Sequence, residues 1–254
     1  MTARAPDVGS FASDPAAPPE RVARREIVRE EIVAKIPESY SPAAHFLIPA
    51  VLGASVLGAS VWLLEGVRAI ELVTVPVTLF LGLGLEWRVH KSVLHERQPL
   101  LGILYVRHEL YHHVVYTYDD MTMRSSREWR LVLMPAYALV LVFVMMIPIV
   151  AAVWYLGSRN VALIHLATSM LFFLAYEWMH LAYHLPQDHP IGRLGLIRRL
   201  RELHRRHHDP RLMKRWNFNV TVPLFDWIHR SAWSEERERA WREARARRGK
   251  PVPE

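Results

Sequence analysis

Apolar residues in this chain come in four long blocks rather than in the three-and-four spacing of a soluble amphipathic helix. Residues 43–64 and 131–156 contain no charged side chain, and residues 70–87 and 161–185 are nearly as apolar until their C-terminal ends. A helix crossing a bilayer needs roughly 20 such residues, so the pattern predicts four crossings. Short polar turns separate the first block from the second, around residues 65–68, and the third from the fourth, around residues 157–160. Connections this short force antiparallel neighbours, which predicts two helical hairpins. The expected fold class is therefore all-α integral membrane: four transmembrane helices as two hairpins, with a cytosolic, histidine-rich helical cap.

The polar stretches divide the rest of the chain. Residues 1–20 have almost no large apolar side chain to offset chain entropy and read as a disordered leader. Residues 21–42 begin with charges alternating with Val22, Ile27, Val28, Ile32, Val33 and Ile36, which suits an amphipathic helix on a membrane surface, stopped by Pro37. Residues 43–233 form the membrane-embedded domain, and residues 234–254 a charged, solvated C-terminal tail. No apolar core lies near the N-terminus, so a secretory signal is not expected.

Charge sets the orientation. Of 32 Lys and Arg, all but Arg68 and Arg159 fall outside the two hairpin turns and the spans, on segments that an even number of crossings puts on one side. The positive-inside bias makes that side, with both termini, cytoplasmic; in a bacterium this would be the inner membrane. The same distribution argues against nucleic acid as the reason for a sequence pI near 9.9, because the basic residues flank spans. With no cysteine, the chain has no disulfide, redox dithiol or thiolate-held cluster, so electrons must come from outside.

Ten of the 14 histidines fall in four clusters at span ends: His90 and His95; His108, His112 and His113; His180 and His184; His204, His207 and His208. Counting from Leu72 to His90 and from Val161 to His180, at about 1.5 Å per helical residue, puts both histidines roughly 27 to 29 Å from the far face, so two distant stretches predict one level. Residues three or four apart share a helix face, so His180 with His184, and His204 with His207 or His208, can grip one ion together. Neighbours such as His112 and His113, or His207 and His208, point about 100° apart on a helix and are placed to divide between two ions. His90 and His95, five apart, are expected to divide likewise. This many neutral imidazoles exceeds what one ion uses and predicts a dimetal centre. Isolated His45, His165, His189 and His229 read instead as hydrogen-bonded structural residues.

Glu86 and Glu177 each precede a histidine cluster as Glu-Trp, at Glu86-Trp87-x-x-His90 and Glu177-Trp178-x-His180, a weak internal echo between the hairpins. Both are expected to hold a ligating imidazole by its second nitrogen. Glu109 and His112 also fit the Glu-x-x-His spacing of carboxylate-rich di-iron bundles, a reading that leaves most of the histidines unused.

From Glu86 to Trp227 these motifs, with Asn217-Phe218-Asn219 and Pro223-Leu224-Phe225-Asp226-Trp227 after the last cluster, resemble the fatty acid hydroxylase and sterol desaturase superfamily of integral membrane oxidases. The resemblance implies a non-haem dimetal centre, usually two iron ions, that activates O2 at the cytosolic face and oxidises a lipid C–H bond. It gives the ligand role to the ten clustered histidines, the lipid and O2 as substrates, and reduction by a separate donor, ferredoxin or cytochrome b5 with its reductase. Where many relatives continue Asp-Trp-x-x-Gly-Thr, this chain reads Asp226-Trp227-Ile228-His229-Arg230-Ser231, and Asn217, Asn219 and Asp226 are assigned to a substrate or partner surface.

The expected activity is hydroxylation of an aliphatic chain, with desaturation as the alternative in the same superfamily. Imidazole spacing does not separate these reactions, nor iron from zinc. From a different class, a metal transporter also carries intramembrane histidines, but near the midplane and on a polar path. A bis-histidine haem protein needs one histidine on each facing helix rather than doublets.

Overall fold

The structure is a computed structural model in which residues 19–249 are described; the leader expected over residues 1–20 lies outside them except for its last two positions. The helices in chain order are α1 Pro19–Ala34, α2 Pro42–Trp62, α3 Thr74–Val89, α4 Gly102–Tyr105, α5 His113–Val115, α6 Trp129–Val132, α7 Ala136–Leu156, α8 Arg159–Tyr183, α9 Gly195–His207, α10 Leu224–Ile228 and α11 Glu235–Arg247. Two π-helical turns, His90–Leu94 and Val106–His112, interrupt the α-helical run around the first two histidine clusters. The chain forms two compact units, one of Ile36–Leu85 with Arg124–Ala182, the other of the N-terminal residues to Lys35 with Glu86–Met123 and the chain from Tyr183 onward.

The first of these is built from the apolar blocks. Four helical stretches, Pro42–Trp62, Ala69–Leu94, Leu139–Leu156 and Arg159–Tyr183, are long and apolar enough to cross a membrane. Large apolar side chains on their outer faces, among them Ile48, Val51, Leu81, Val144 and Ile147, are left exposed by the protein itself, as lipid-facing positions are. Both features support an integral-membrane location. α2 opens at Ser41, whose Oγ accepts the Ala44 N–H at 3.2 Å, with Pro42 in the first turn where its missing N–H costs nothing. Gly53 and Gly82 allow close approach: a Cβ at either would come within 3.1 Å of Leu174 or 3.2 Å of Phe172.

Polar residues in the hairpin turns bond to each other. Asn160 donates from Nδ2 to the Glu65 carbonyl (2.7 Å) and accepts the Glu65 N–H (3.2 Å), while buried Glu71 accepts from Ser158 Oγ at 2.6 Å and the Arg68 N–H at 2.9 Å. These bonds are consistent with paired hairpins whose turns lie side by side.

The third block departs from the continuous helix expected over residues 131–156. Pro135 has no N–H and disfavours helical geometry at the residue before it, so α6 stops at Val132 and α7 restarts at Ala136. The backbone groups freed at Met134 find side chains: its N–H goes to Glu177 Oε2 at 3.0 Å, and its carbonyl accepts from His45 Nε2 at 2.9 Å. His45 and Glu177 thus brace a helix break.

The other unit carries α1, the π-helical turns, α4, α5 and α9 to α11. α1 packs on α5, and Arg29, buried in spite of its charge, donates to the Thr122 carbonyl (2.8 Å) and to Asp120 (3.1 Å). Tyr116, Trp216 and Phe218 are fully buried here, with Tyr183 donating to the Val220 carbonyl at 2.8 Å. α11 starts at Ser234, whose Oγ caps the Arg237 N–H, and buries no residue, as expected of a solvated charged helix.

Candidate metal centre

Nine of the ten clustered histidines come together in two groups within this second unit. His90, His95, His108, His113 and His207 form one; His112, His184, His204 and His208 form the other. Inside each group the ligand nitrogens all lie within 4.8 Å of one another, and all nine side chains are buried. Both doublets divide between the groups, His112 from His113 and His207 from His208.

His90 and His95, expected to separate, share the first group. The reason is local backbone: the π-helical turn closes i→i+5, so residues five apart stack on one face where an α-helix would rotate them apart. The second π turn does the same for His108 and His113, whose Nε2 atoms are 3.1 Å apart. On α-helical backbone the ordinary spacing holds, and His204 Nε2 lies 3.0 Å from His208 Nε2.

The backbone orients these rings. Four Nδ1–H groups donate to main-chain carbonyls: His90 to Phe218, His207 to Trp216 (2.9 Å), His184 to Met121 (2.9 Å) and His208 to Tyr116 (2.6 Å). A carbonyl only accepts, so each Nδ1 must carry the proton and each Nε2 presents a lone pair. His95 donates its Nδ1–H to the buried carboxylate of Glu109. Lys214 Nζ, at the surface, meets the other oxygen of Glu109 at 3.2 Å.

That proton count tests whether a metal fits. His95 and His207 both spend Nδ1–H on other acceptors, yet their Nε2 atoms are 2.9 Å apart, lone pair against lone pair. Two neutral rings so arranged share no hydrogen bond, and a cation between their nitrogens would relieve the contact. His90 with His108 at 2.9 Å and His112 with His208 at 3.1 Å repeat the spacing. Imidazole–metal bonds of about 2.1 Å at right angles put neighbouring nitrogens about 3.0 Å apart, so the donors suit divalent transition-metal ions. Burial, reinforced by the surrounding imidazoles, pushes His108, His113 and His207 well below the ordinary histidine range, which keeps them neutral and ready to ligate.

The remaining expected residues lie elsewhere in the arrangement. His180 is buried but belongs to neither group. Glu86, expected on an imidazole, instead accepts the Val220 N–H, the Thr221 N–H (3.0 Å) and the Thr221 hydroxyl (2.6 Å). The cause is reach: the chain after α9 folds back over Glu86 and offers unpaired backbone donors there. Trp87 helps, with Nε1–H on Ser231 Oγ at 2.9 Å. Glu177 holds the Met134 N–H in the span unit.

Asn217, Asn219 and Asp226, assigned to a substrate or partner surface, are all buried and bind backbone. Asp226 accepts the Phe218 and Asn219 N–H groups at 2.9 and 2.8 Å and the Ser231 hydroxyl at 2.7 Å, and burial still raises its pKa. Asn219 Oδ1 accepts the Phe225 N–H, and Asn217, in the left-handed region at φ 57°, bridges the Leu203 carbonyl and the Trp233 N–H. Together with Glu86 they fix residues 216–220, whose carbonyls aim His90 and His207. They act on the grouped histidines through the loop.

Glu109 on the imidazole of His95 is a partner that motif spacing does not assign, though its place beside His108 in a histidine cluster is a signal. The four carbonyl partners had none, because any residue supplies a carbonyl. The result is an all-α, four-span membrane protein with two clustered histidine groups, consistent with the histidine-motif dimetal membrane enzymes as a class. No family model, curated protein or solved structure matches the chain.

Proposed function

We propose that the two groups hold a pair of iron ions and that the protein is a membrane-bound oxygenase, hydroxylating an aliphatic C–H bond of a lipid with O2 and electrons from a separate donor. The observation that carries this reading is the facing Nε2 pair of His95 and His207, both with Nδ1 committed elsewhere. When bound, the metals would supply O2 activation and the oxidising power for the C–H bond.

The chain's own residues hold and shield. His90, His184, His207 and His208 are turned inward by backbone carbonyls, so their lone pairs are set before any metal arrives. Glu109 polarises His95 and makes it a stronger donor. Burial of all nine rings excludes water from the site. His180 is proposed as a tenth ligand from the end of α8, and a donor of the ferredoxin or cytochrome b5 type would meet the protein on the cytoplasmic side, where both termini are proposed to lie. The lipid would enter from the bilayer.

Metal analysis of the purified full chain should give two ions per chain, and lipid profiles of cells with and without the gene should differ by one oxygen in one lipid class. Loss of two hydrogens instead would make the enzyme a desaturase. One ion or none per chain, with unchanged lipids, would overturn the reading.

A further inference from the structure

The metal site leaves unused a cleft of about 840 Å3 walled by residues 118–122, the turn before α9 and the first turns of α9. Five arginines line it: Arg193, Arg198, Arg199, Arg201 and Arg205. Its two carboxylates are already engaged, Asp119 with Arg25 at 3.4 Å and Glu202 with Arg205 at 2.7 Å and Arg206 at 3.0 Å. Arg201 donates to the Leu185 carbonyl. Arg193, Arg198 and Arg199 are exposed and have no side-chain partner among the described residues. α9 begins here without a capping side chain, and its first N–H groups add partial positive charge to the same rim. So much uncompensated charge in one concavity suits a multiply charged oxyanion, which guanidinium groups bind with paired hydrogen bonds.

A second observation concerns the source of the anion. Ile191, Leu194 and Leu196, on the same stretch, are 45%, 56% and 65% exposed. A soluble phosphate needs no apolar neighbours, whereas a lipid headgroup meets arginine and leucine together at the membrane boundary. The cleft also adjoins the second histidine group through shared residues: Met121 lines it and takes the His184 Nδ1–H on its carbonyl, and Arg205 follows His204 in sequence.

We infer that this cleft binds the phosphate of a lipid headgroup and that the lipid held there is the one oxidised. The second half rests on the oxygenase reading; the first does not. Calorimetric titration of the detergent-purified full chain, both metal-free and iron-loaded, with dihexanoyl phosphatidic acid should show binding at least tenfold tighter than that of inorganic phosphate. The double variant Arg198→Glu/Arg199→Glu should lose at least tenfold in affinity with its metal content unchanged, and Arg239→Glu/Arg247→Glu, outside the cleft, should stay within twofold of the parent. Equal binding of inorganic phosphate would make the ligand a soluble phosphate and overturn the lipid assignment. Undiminished binding in the cleft variant, or an equal loss in the control, would remove the site. Product confined to phosphate-free lipids would overturn the substrate half while leaving the oxygenase reading intact.

Discussion

The two histidine groups are built differently, although they lie in one unit and turn imidazole nitrogens toward one another in the same way. The first draws four of its five rings from π-helical turns or their edges, and leans on residues 216–220 and on the carboxylate of Glu109. The second takes its rings from His112, the end of α8 and α9, and leans on the carbonyls of Tyr116 and Met121. Behind each loop stands a charged brace: Glu86 and Asp226 for the first, Arg29 for the second. Adjacent histidines in sequence thus answer to separate supports, and a lesion in one support should weaken one group before the other.

The largest effect tests that separation directly. His95→Ala and His204→Ala should each lower bound metal from about two ions to about one per chain. If either change empties both groups, the two do not fill independently. Product should vanish in both variants, because the proposed chemistry needs the pair.

One layer further out the effects shrink but stay selective. Glu109→Gln should weaken metal affinity of the first group by roughly 10- to 100-fold. Asp226→Ala strands two buried N–H groups and should cost about 2 to 4 kcal/mol of stability while loosening that same group. Arg29→Ala should cost about 1.5 to 3 kcal/mol and loosen the second. Competition with a chelator of graded strength, read as one or two phases of metal loss, checks all three.

Acid sharpens the comparison more gently. In the metal-free protein His108, His113 and His207, all of the first group, are held below the free value of 6.5. The unfolded chain then takes up protons that the folded chain refuses, so stability should be level above about pH 6.5 and decline as pH falls below it. Melting temperatures across that range should show a shallower decline in His113→Ala. The smallest effect belongs to His45→Ala, which removes bonds to Tyr40 and Met134 in the span unit and should leave metal content unchanged while lowering stability by about 1 kcal/mol.

Much of this protein was legible in one dimension. Long apolar blocks have few physical solutions, so the four candidate spans and the two short turns followed from length and composition, and the histidine doublets divided because neighbouring residues on any helical backbone point apart. Three features escaped that logic. The π-helical turns put His90 with His95 because the backbone changed its own period, which no side-chain pattern announced. Pro135 broke the third block, and the repair by Glu177 and His45 came from residues far away in sequence. Glu86, Asn217, Asn219 and Asp226 proved to brace a loop rather than touch a ligand or a surface, since a carboxylate bonds whichever donors the folded chain brings within about 3 Å. Residue types and their spacing thus determined that imidazole would gather into two groups. Which ring joined which group, and what held it there, was decided by backbone carbonyls and N–H groups, which every sequence possesses and only a tertiary structure can aim.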